Sequence, residues 1–555
     1  MRFSRRDLLV WGAGAAAGLV VTPVPWKILD DTSKWSQNWP WIPQPARVPV
    51  EFKQSACTLC PNGCGLRVRM AAGWAVGVAG LSTHSVSRGA LCPLGFGAHQ
   101  LNWQPQRLRA VRHRGSASSW SEAQAAFAKA RSEGPIVVID GYPGRAASFV
   151  LQSFAEKQSG NYRVVQGAET RALKPYEEWT GIPAASLGYD LENTTTILSF
   201  GTPLLDGWGV PGRFTRLWSE RAAGTSDPQL RLIQVESSFS RTASKAWQWI
   251  HIREGSDSAL ASGLARVLVE QNLVPAHGPI PAMSLAEAAS QTGLTVQAIA
   301  DMARMLIAKT PTLAIAPDNN PSIAALNVLL GSVGTRGGIV RRTQSQQAYA
   351  SADEIPNARA ILIDSSVPWD FAPQSDAEVF RFAAWDGGPT KVDWLLPAPG
   401  FLEELTDVPT APTASVETYG IAPSLVKPVS EVQSAAQFVA GVDSSSSSPE
   451  KVIHTRCEEL YRKRSGAIVS KDRTPVSQLA SAQKLEEALQ NGAVWMDEPA
   501  SSVKLRCELK EWPTNGPQPG PGNWTSEWAA PVLPPLASKL YIESDLRESL
   551  HRGNA

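Results

Sequence analysis

The sequence has little net charge, few cysteines and no long apolar run after its N-terminal segment. Its 52 Lys and Arg residues nearly balance 51 Asp and Glu residues, which leaves a formal net charge of +1. Proteins that bind nucleic acids usually carry a clear basic excess, so this balance argues against that class of partner. The chain also lacks a tandem repeat and a C-x-x-C-H sequence. We therefore expect neither a repeat architecture nor covalently attached haem.

The only long apolar stretch lies near the N-terminus, from about Leu8 to Val21. A bilayer span needs roughly 20 residues, so this stretch is short for one. It follows SRRDLL (4–9), a twin-arginine signal pattern, and no clean A-x-A cleavage sequence comes after it. Residues 1–30 are predicted to be a twin-arginine signal or anchor, with the body of the protein on the periplasmic side of the cytoplasmic membrane. The other interpretation is a chance arginine pair before a buried helix.

Four of the six cysteines form one pattern, C-x2-C-x3-C-x27-C, made by CTLCPNGC and RGALCPLG. Four thiolates are a natural ligand set for a [4Fe–4S] cluster, one for each iron. Zinc competes as an interpretation, but four-cysteine zinc sites favour two C-x2-C pairs and this chain has one. Disulfides are a third interpretation, which the close spacing of the first three cysteines disfavours. We predict one [4Fe–4S] cluster held by Cys57, Cys60, Cys64 and Cys92.

The other two cysteines, Cys457 and Cys507, lie far downstream. They could pair with each other or remain free, buried thiols. Because the chain has no second set of four cysteines, we expect no further cluster in it. Electron transfer over a longer path would then require partner proteins.

Changes of composition divide the chain into segments. A Trp/Pro-rich linker at 31–50 precedes a small, glycine-rich segment at 51–113 whose alternating runs, such as LRVRM, indicate β-strands. From 114 to 440, short apolar runs alternate with helical patterns, which predicts α/β architecture with mostly parallel sheets. A Ser-rich linker at 441–450 leads to an extension at 451–555, predicted to be helical and then irregular.

Several motifs resemble the molybdopterin oxidoreductase (dimethyl sulfoxide reductase) family, and they occur in that family's order. The cysteine segments resemble its N-terminal iron–sulfur domain. Further similarities span residues 50–440, in the segments QPQRLRAV, SWSEA, LSFGTPLLD, QVESSFSRTASKAW, IREGSDSAL (252–260), LNVLLGSVGTRGG (326–338) and VDWLLPAPGFLEE (392–404). The resemblance implies a β-rich iron–sulfur domain followed by two interleaved α/β domains. It also implies that Glu236, Ser256 and Asp257 match positions that contact a pterin nucleotide.

Three departures from the family pattern concern catalysis. The segment that normally supplies a metal ligand corresponds to GAETRALKPYEEWTG (167–181), which has no Cys or Ser. Glu169 is a conceivable substitute, although we expect it to be a surface carboxylate. Leu94 stands where the family usually has a cation between cluster and pterin, and an aliphatic side chain cannot donate a hydrogen bond there. The residues after Pro449 do not resemble the family's final β-barrel, which we expect to be absent or degenerate.

These departures predict a chain that keeps the scaffold and the cluster but lacks molybdopterin. The sequence resembles the molybdopterin-binding-like subunits of quinone-linked respiratory complexes, a group that includes those of menaquinone-reducing complexes and of alternative complex III. The resemblance implies three partners: a ferredoxin-like iron–sulfur subunit, a multihaem cytochrome c subunit and an integral membrane quinone-binding subunit. Glu236, Ser256 and Asp257 would then be vestigial. The alternatives are an active molybdopterin enzyme, similar to polysulfide or thiosulfate reductases, and a purely structural protein.

Overall fold

The protein is described by a computed structural model. It describes residues 4–21, 27–28, 49–205, 207–209, 211–224, 226–274, 279–342, 349–352, 355–364, 377–385, 392–411, 413–443, 446–497, 507 and 509–513. Most of the linker at 31–50 and the Trp/Pro-rich tail after 513 lie outside the described residues. The chain divides into two units, Met1–Val50 and Glu51–Ala555.

The first unit contains one helix, α1 (Arg5–Val21), whose described side chains are exposed. Asp7 accepts hydrogen bonds from the backbone N–H and the hydroxyl of Ser4, which cap the start of the helix. Within the described ranges, no helix is both long enough and apolar enough to cross a membrane. The signal or anchor role of this segment stays a prediction.

The second unit begins with a small antiparallel sheet that carries two of the four clustered cysteines at its strand ends and a third in the loop between them. The sheet has the order β1-β2-β3. Its inner face is apolar, with Leu66, Val68 and Met70 buried together with Cys57 and Cys64. Helix α2 and a 3-10 helix follow and pack on β3. The elements are β1 (Val50–Ala56), β2 (Gly65–Ala71), β3 (Trp74–Gly80), α2 (Pro93–Gly97) and the 3-10 helix Ala98–Trp103.

The first α/β domain is built on a seven-stranded sheet with the order β5-β4-β16-β15-β14-β6-β7. The five strands from β16 to β7 are parallel, and β4 and β5 add an antiparallel hairpin at the edge. Strands β6, β14 and β15 are buried almost throughout, which is typical of a sheet covered on both faces. The strands are β4 (Arg112–His113), β5 (Ser116–Ala117), β6 (Ile136–Asp140), β7 (Asn161–Val164), β14 (Ala360–Ile363), β15 (Glu378–Ala383) and β16 (Trp394–Pro397).

Two helices of this domain show why the sequence folds as it does. The first, α3 (Trp120–Glu133), begins with a capping box in which the Ser119 hydroxyl accepts from the Glu122 N–H and the Glu122 carboxylate accepts from the Ser119 N–H. Its apolar side buries Phe127, which meets Phe380 edge to face with ring centroids 5.1 Å apart. The second, α4 (Ala146–Lys157), links β6 to β7.

The second α/β domain is inserted between β7 and β14 of the first. Its central sheet is wholly parallel and has the order β11-β10-β9-β12. Strands β8 and β13, which precede and follow the strands of this sheet along the chain, form a short antiparallel pair. The strands are β8 (Leu187–Tyr189), β9 (Thr196–Phe200), β10 (Arg231–Glu236), β11 (Gln248–His251), β12 (Thr312–Ile315) and β13 (Ile339–Arg341). The interleaved α/β architecture predicted from the sequence is confirmed.

Eight helices described in this inserted region connect its strands and cover the sheet. The long ones are amphipathic, and the Thr295 hydroxyl caps α11 by accepting from the Ala298 N–H. The helices are α5 (Ala168–Arg171), α6 (Lys174–Thr180), α7 (Pro211–Arg221), α8 (Arg241–Lys245), α9 (Asp257–Glu270), α10 (Leu285–Thr292), α11 (Val296–Ala308) and α12 (Pro321–Leu329), with a 3-10 helix at Ala184–Ser186.

The C-terminal segment forms strands as well as helices, which corrects the prediction of a helical and irregular extension. Three of its strands complete a five-stranded antiparallel sheet of order β17-β18-β21-β19-β20. No closed barrel forms among the described residues. The elements are β17 (Thr406–Val408), β18 (Glu417–Ala422), α13 (Ala435–Val442), α14 (Pro449–Lys463), β19 (Ala467–Val469), β20 (Arg473–Pro475), the 3-10 helix Val476–Gln478, α15 (Ala482–Gln490) and β21 (Val494–Asp497).

A fully buried ion pair joins the iron–sulfur domain to the first α/β domain. The Arg107 guanidinium donates to Glu403 at 2.6 Å, and both side chains are 0% exposed. The same guanidinium donates to the carbonyls of Ala384 and Ala398. Nearby, the Asn102 amide exchanges two hydrogen bonds with the backbone of Phe401. These paired polar groups fix where the cysteine-bearing sheet sits on the larger sheet.

The C-terminal strands share one hydrophobic core with the first α/β domain, and substitution of Trp495 tests this arrangement. Its side chain is 2% exposed, packs in the same core cluster as Phe127 and Phe438, and donates to the Ser465 carbonyl at 3.1 Å. Trp495→Ala should lower the free energy of unfolding by about 3–5 kcal/mol, because it leaves a large cavity. Urea unfolding monitored by circular dichroism measures this. The partly exposed Trp247 provides the control, whose change to Ala should cost far less. Equal losses for the two variants would contradict a shared core.

Candidate metal centre

The four cysteines reach one place from three parts of the small domain. Cys57 directly follows β1, and Cys64 directly precedes β2. A backbone hydrogen bond of 2.7 Å from the Cys57 N–H to the Cys64 carbonyl closes the loop between them and holds Cys60 at its tip. Cys92 lies at the N-cap of α2, with Pro93 at the first position of the helix. The C-x2-C-x3-C spacing is thus the length of one closed loop.

The electrostatics of the thiols show that they lie together. Burial raises the pKa of the Cys57, Cys60 and Cys64 thiols, and neighbouring thiols raise each of these pKa values further. Every pair among these three and Cys92 interacts in this way. A like charge raises a thiol pKa only from nearby, so the four sulfurs share one buried pocket. Without a bound cation, four thiolates there would repel one another.

A helix from the inserted domain completes the pocket. Gly212, at the start of α7, lies so close to Cys64 that a β-carbon there would be 2.8 Å from the Cys64 Sγ. The N-terminus of a helix carries partial positive charge and free N–H groups, which stabilise thiolates. The sequence analysis missed this contribution. The glycine follows a proline after GWGV, but nothing in that segment indicates which distant residue it meets.

Because a set of four cysteines needs no fifth ligand, the sequence predicts that His84 is a surface residue. The structure corrects this prediction, since His84 lies buried against the cysteine loop. Its side chain is buried, and burial lowers its pKa to about 4, so the imidazole is neutral at pH 7. The Nδ1 atom accepts a hydrogen bond from the Ser87 N–H, and the Ser87 hydroxyl accepts from the Gly65 N–H. A β-carbon at Gly65 would lie 2.5 Å from the imidazole. The glycine after Cys64 therefore makes room for this ring.

For the same reason the sequence predicts His99 and His113 at the surface, whereas both are half-buried. The ring of His113 stacks on that of Trp394, with centroids 4.2 Å apart. Among the described residues, neither side chain lies with the four thiols in a metal-binding group.

These residues fit a [4Fe–4S] cluster. The pocket supplies four thiols, a helix N-terminus and a close glycine, as a compact anionic group requires. A cubane takes one thiolate at each iron, so its ligands need not meet at one point. Across the described part of the chain, no three His, Cys, Asp or Glu side chains surround a position for a single metal ion. The thiols of Cys57, Cys60, Cys64 and Cys92 would hold the cluster.

Glu169 is buried, not a surface carboxylate, which corrects a second prediction. Its side chain is 1% exposed at the start of α5, and its negative charge contributes to the raised pKa of Cys60. The segment 167–181 therefore places a buried carboxylate near Cys60. Leu94, in α2, is half-buried and offers only aliphatic surface two residues after Cys92.

Glu236, Ser256 and Asp257 lie at the carboxyl end of the second sheet. Among the described residues, no hydrogen bond joins them to the four thiols. Glu236 ends β10, where it accepts from the Ser240 N–H at 2.9 Å and the Gln234 side chain at 2.8 Å. The Ser256 hydroxyl donates to the Arg253 carbonyl at 2.6 Å. Local groups therefore satisfy both. Asp257, at the start of α9, has no ion-pair partner among the described side chains, and burial raises its pKa to about 6.

An ion network at the carboxyl end of the first sheet was not predicted. Asp140 ends β6 and Asp364 follows β14, and the Arg145 guanidinium pairs with both. Burial alone would lower the pKa of Arg145, but the two carboxylates hold it above its ordinary value. The chain leaves β6 for β7 on one side and later returns to β14 on the other, so this network lies at a topological switch point. Only the fold brings Asp364 to Asp140.

Cys457 and Cys507 are both free thiols. Cys457 is buried in α14, and burial raises its pKa to about 12. The pairing of these two cysteines in a disulfide is not present, and the free-thiol interpretation is the one the structure supports.

The close approach of α7 to Cys64 gives a sharp test of the pocket. Gly212→Ala should lower the iron content of the purified protein severalfold, because a methyl group 2.8 Å from the Cys64 sulfur overlaps with it. Gly97→Ala is the matched control, since it also lies near a cysteine but has open space where a β-carbon would stand and an ordinary φ of −83°. Cys60→Ala should abolish the cluster and sets the lower limit. Iron analysis and the visible spectrum report the outcome. Equal iron in the two glycine variants would refute this packing.

Comparisons with known proteins agree with this site and fold. Residues 50–101 match the family model of the molybdopterin oxidoreductase Fe4S4 domain. The chain is 28% identical over 491 residues to the menaquinone reductase, molybdopterin-binding-like subunit, of Nitratidesulfovibrio vulgaris. That match covers 78% of this chain and 71% of the relative. It is also 27% identical over 263 residues to the major subunit of the nitrate-inducible formate dehydrogenase of Escherichia coli, covering 40% of this chain and 25% of that one.

Among solved structures, acetylene hydratase from Pelobacter acetylenicus has a similar fold. Its TM-score is 0.58 at 12% identity, over 80% of this chain and 74% of that one. At this level of identity the likeness concerns the fold alone. Together with the four thiols in one pocket, these matches show that residues 50–101 carry a molybdopterin oxidoreductase Fe4S4 domain and that the chain is similar to molybdopterin oxidoreductase proteins over most of its length.

Proposed function

We propose that this protein is a non-catalytic subunit of a respiratory quinone oxidoreductase complex on the periplasmic side of the cytoplasmic membrane. It acts as an electron relay and scaffold, holds one [4Fe–4S] cluster and binds no molybdenum. The observation that carries the proposal is a complete cluster pocket beside a crevice at which the chain's own ion network bridges the strand ends. The twin-arginine pattern at residues 4–9 supports export of the folded protein.

The ion network at this crevice supports the absence of molybdopterin, although open space remains beside Arg145 and Asp364. Open α/β sheets bind ligands outside the carboxyl ends of their strands, at a switch point. Here Arg145 bridges Asp140 and Asp364 at that position, and its guanidinium stands over the ring of Tyr142, which is 3% exposed. Displacing such a network would leave buried charges without partners, which costs several kcal/mol. The Cys- and Ser-free segment 167–181 and Leu94 support the same conclusion.

The relative from N. vulgaris supports the wider assignment. It is described as a molybdopterin-binding-like subunit of menaquinone reductase, and it aligns with most of this chain. A subunit of that kind would work with a ferredoxin-like iron–sulfur subunit, a multihaem cytochrome c subunit and a membrane subunit that binds quinone. A quinone-linked relay fits a chain with one cluster pocket and no C-x-x-C-H sequence.

The chain's residues would tune the cluster in three ways. A [4Fe–4S] cluster supplies one-electron transfer, and its potential depends on burial, net charge and hydrogen bonds to sulfur. The buried pocket excludes water from the thiols of Cys57 and Cys64. The N-terminus of α7 places partial positive charge beside Cys64, which favours added electrons. The nearby carboxylate of Glu169 acts in the opposite direction and disfavours them.

One observation favours a second function, that of an active molybdopterin enzyme. Asp257 matches a nucleotide-contacting position of the family and keeps a largely buried carboxylate with no ion-pair partner among the described side chains. Such a group is costly unless a ligand uses it. The polysulfide- or thiosulfate-reductase-like alternative therefore rests on Asp257. The ion network at the carboxyl end of the first sheet argues against it.

Metal analysis separates these functions. Purified full-length protein should contain about four iron atoms per chain and no molybdenum or tungsten, because one four-thiolate site takes one cubane. Inductively coupled plasma spectrometry gives the metals, and the EPR spectrum of the reduced protein identifies the cluster. Molybdenum together with extractable pterin would sink the proposal in favour of the active enzyme. Zinc alone would favour a structural protein.

Substitution of Asp257 tests whether its site is vestigial. Because burial raises its pKa from the ordinary 3.8 to about 6, the folded wild-type protein loses stability as the pH rises from about 4 to about 6. Asp257→Asn removes this penalty and should raise the free energy of unfolding by about 1–2 kcal/mol at pH 7.5 and by little at pH 4, after a discount for solvent access.

The matched control for this experiment is Glu254→Gln, at an exposed position three residues away. It should leave the free energy of unfolding unchanged at both pH values. A large loss of stability or of bound pterin in Asp257→Asn at pH 7.5 would instead show that a ligand uses the carboxylate.

A further inference from the structure

The iron–sulfur domain carries a strong positive charge that the rest of the chain compensates. Residues 51–113 contain seven basic residues and one acidic residue, a formal charge of +6, in a chain whose total is +1. The remaining residues are therefore net negative by five charges. One of the seven, Arg107, is neutralised by Glu403 in the interior. The other six belong to the exterior of a domain with almost no acidic residue of its own.

Two of these basic side chains lie on one face of the small sheet. Arg67 and Arg69 are exposed, whereas the alternate residues Leu66, Val68 and Met70 point into the core. Arg67 stands over the ring of Phe52, with 5.1 Å between its guanidinium carbon and the ring centroid. The only acidic residue, Glu51, is 4.0 Å from Lys53. The face is therefore basic.

Exposed aromatic and aliphatic side chains surround these basic residues. On the sheet they are Phe52, Trp74 and Val76, at 60%, 36% and 46% exposed. Trp103 continues the patch, since its ring lies 4.7 Å from that of Trp74, and Phe96 on α2 is also exposed. We call the set Phe52, Arg67, Arg69, Trp74, Val76 and Trp103 the outer face. Exposed large apolar groups of this extent mark interaction sites.

The outer face lies one sheet away from the cluster pocket. The inner side of the same strands packs with Cys57 and Cys64. Layers that pack on a sheet lie about 10 Å from it, so a protein seated on the outer face comes close to the thiols. Phe96 belongs to the helix that Cys92 caps. The outer face therefore combines positive charge, exposed aromatic side chains and proximity to the thiols.

We infer that the outer face docks an acidic electron-transfer protein, which exchanges one electron with the cluster through the sheet. The inference rests on the proposed relay function. An acidic partner fits because Arg67 and Arg69 steer a negative surface and the aromatic groups hold it after contact. One electron leaves the reduced partner and reduces the oxidised cluster, or the reverse, and no atom is transferred.

The test measures binding of an acidic probe to the full-length, cluster-loaded protein. The probe is oxidised plant-type [2Fe–2S] ferredoxin, titrated by calorimetry at about 20 mM and about 300 mM salt, where the Debye length is about 20 Å and about 6 Å. Arg67→Glu with Arg69→Glu should raise the dissociation constant at least about tenfold at low salt and have little effect at high salt. Phe52→Ser should weaken binding at both salt concentrations, because its contribution is apolar.

Two controls keep the result specific. Lys463→Glu with Lys471→Glu makes the same change of charge at exposed positions of the C-terminal segment, and it should leave the dissociation constant within about twofold of wild type. Trp249→Ala removes an exposed aromatic from the edge strand β11 and should have no effect. Iron content and the EPR spectrum must match wild type in every variant, which separates a lost docking face from a lost cluster.

Three results would overturn the inference. One is an absence of ferredoxin binding to wild type at low salt, and another is equal weakening by the two charge-reversal variants. The third concerns a lipid surface, which basic and aromatic residues can also bind. If wild type instead binds vesicles of phosphatidylglycerol, and Arg67→Glu with Arg69→Glu abolishes only that binding, the outer face is a membrane surface. The metal analysis would still stand in that case, because it does not depend on the outer face.

Discussion

The position of the cluster pocket depends on one ion pair that water does not reach. Arg107 in the iron–sulfur domain and Glu403 in the first α/β domain are paired with no exposed surface on either side chain. Two backbone carbonyls also accept from one terminal nitrogen of the arginine, whereas its Nε has no hydrogen-bond partner among the described residues. Removing one partner of such a pair costs about 3–5 kcal/mol, because the other charge stays buried alone. The pair therefore sets where the small domain sits on the large one, because any other arrangement would leave a buried charge without its partner.

That attachment lets the pocket draw on distant parts of the chain. The thiols come from the small domain, but the helix beside Cys64 belongs to the inserted domain. The buried carboxylate of Glu169 comes from another segment of the inserted region, at the start of α5. A potential set by dipoles and charges from three segments can change with any of them, without a change of ligand. The cluster's electronic properties are thus a property of the whole assembly.

The sequence indicated that four cysteines share one site, and it predicted the alternation of strands and helices, because both leave local signals. Cysteine spacing reflects the length of one loop, and the buried run IVVID and the Ser119 cap mark their own elements. It did not predict the bridge from Arg145 to Asp364, because 219 residues separate them. The prediction that Glu169 and His84 are exposed was wrong for the same reason. Burial depends on which distant segments pack against a residue. Strands β19 to β21 were not predicted, because each is only three or four residues long and lies near strong helical patterns in the sequence.

The inserted domain also has a consequence for synthesis of the chain on the ribosome. Strand β6 ends at Asp140, and its parallel neighbour β14 begins at Ala360, about 220 residues later. At the usual 5–20 residues per second, β6 waits about 10–40 seconds for that neighbour. Until then an apolar strand edge is open to pairing with other chains. The newborn chain must therefore be shielded by a chaperone, or by its own inserted domain folding first, before its first sheet can close.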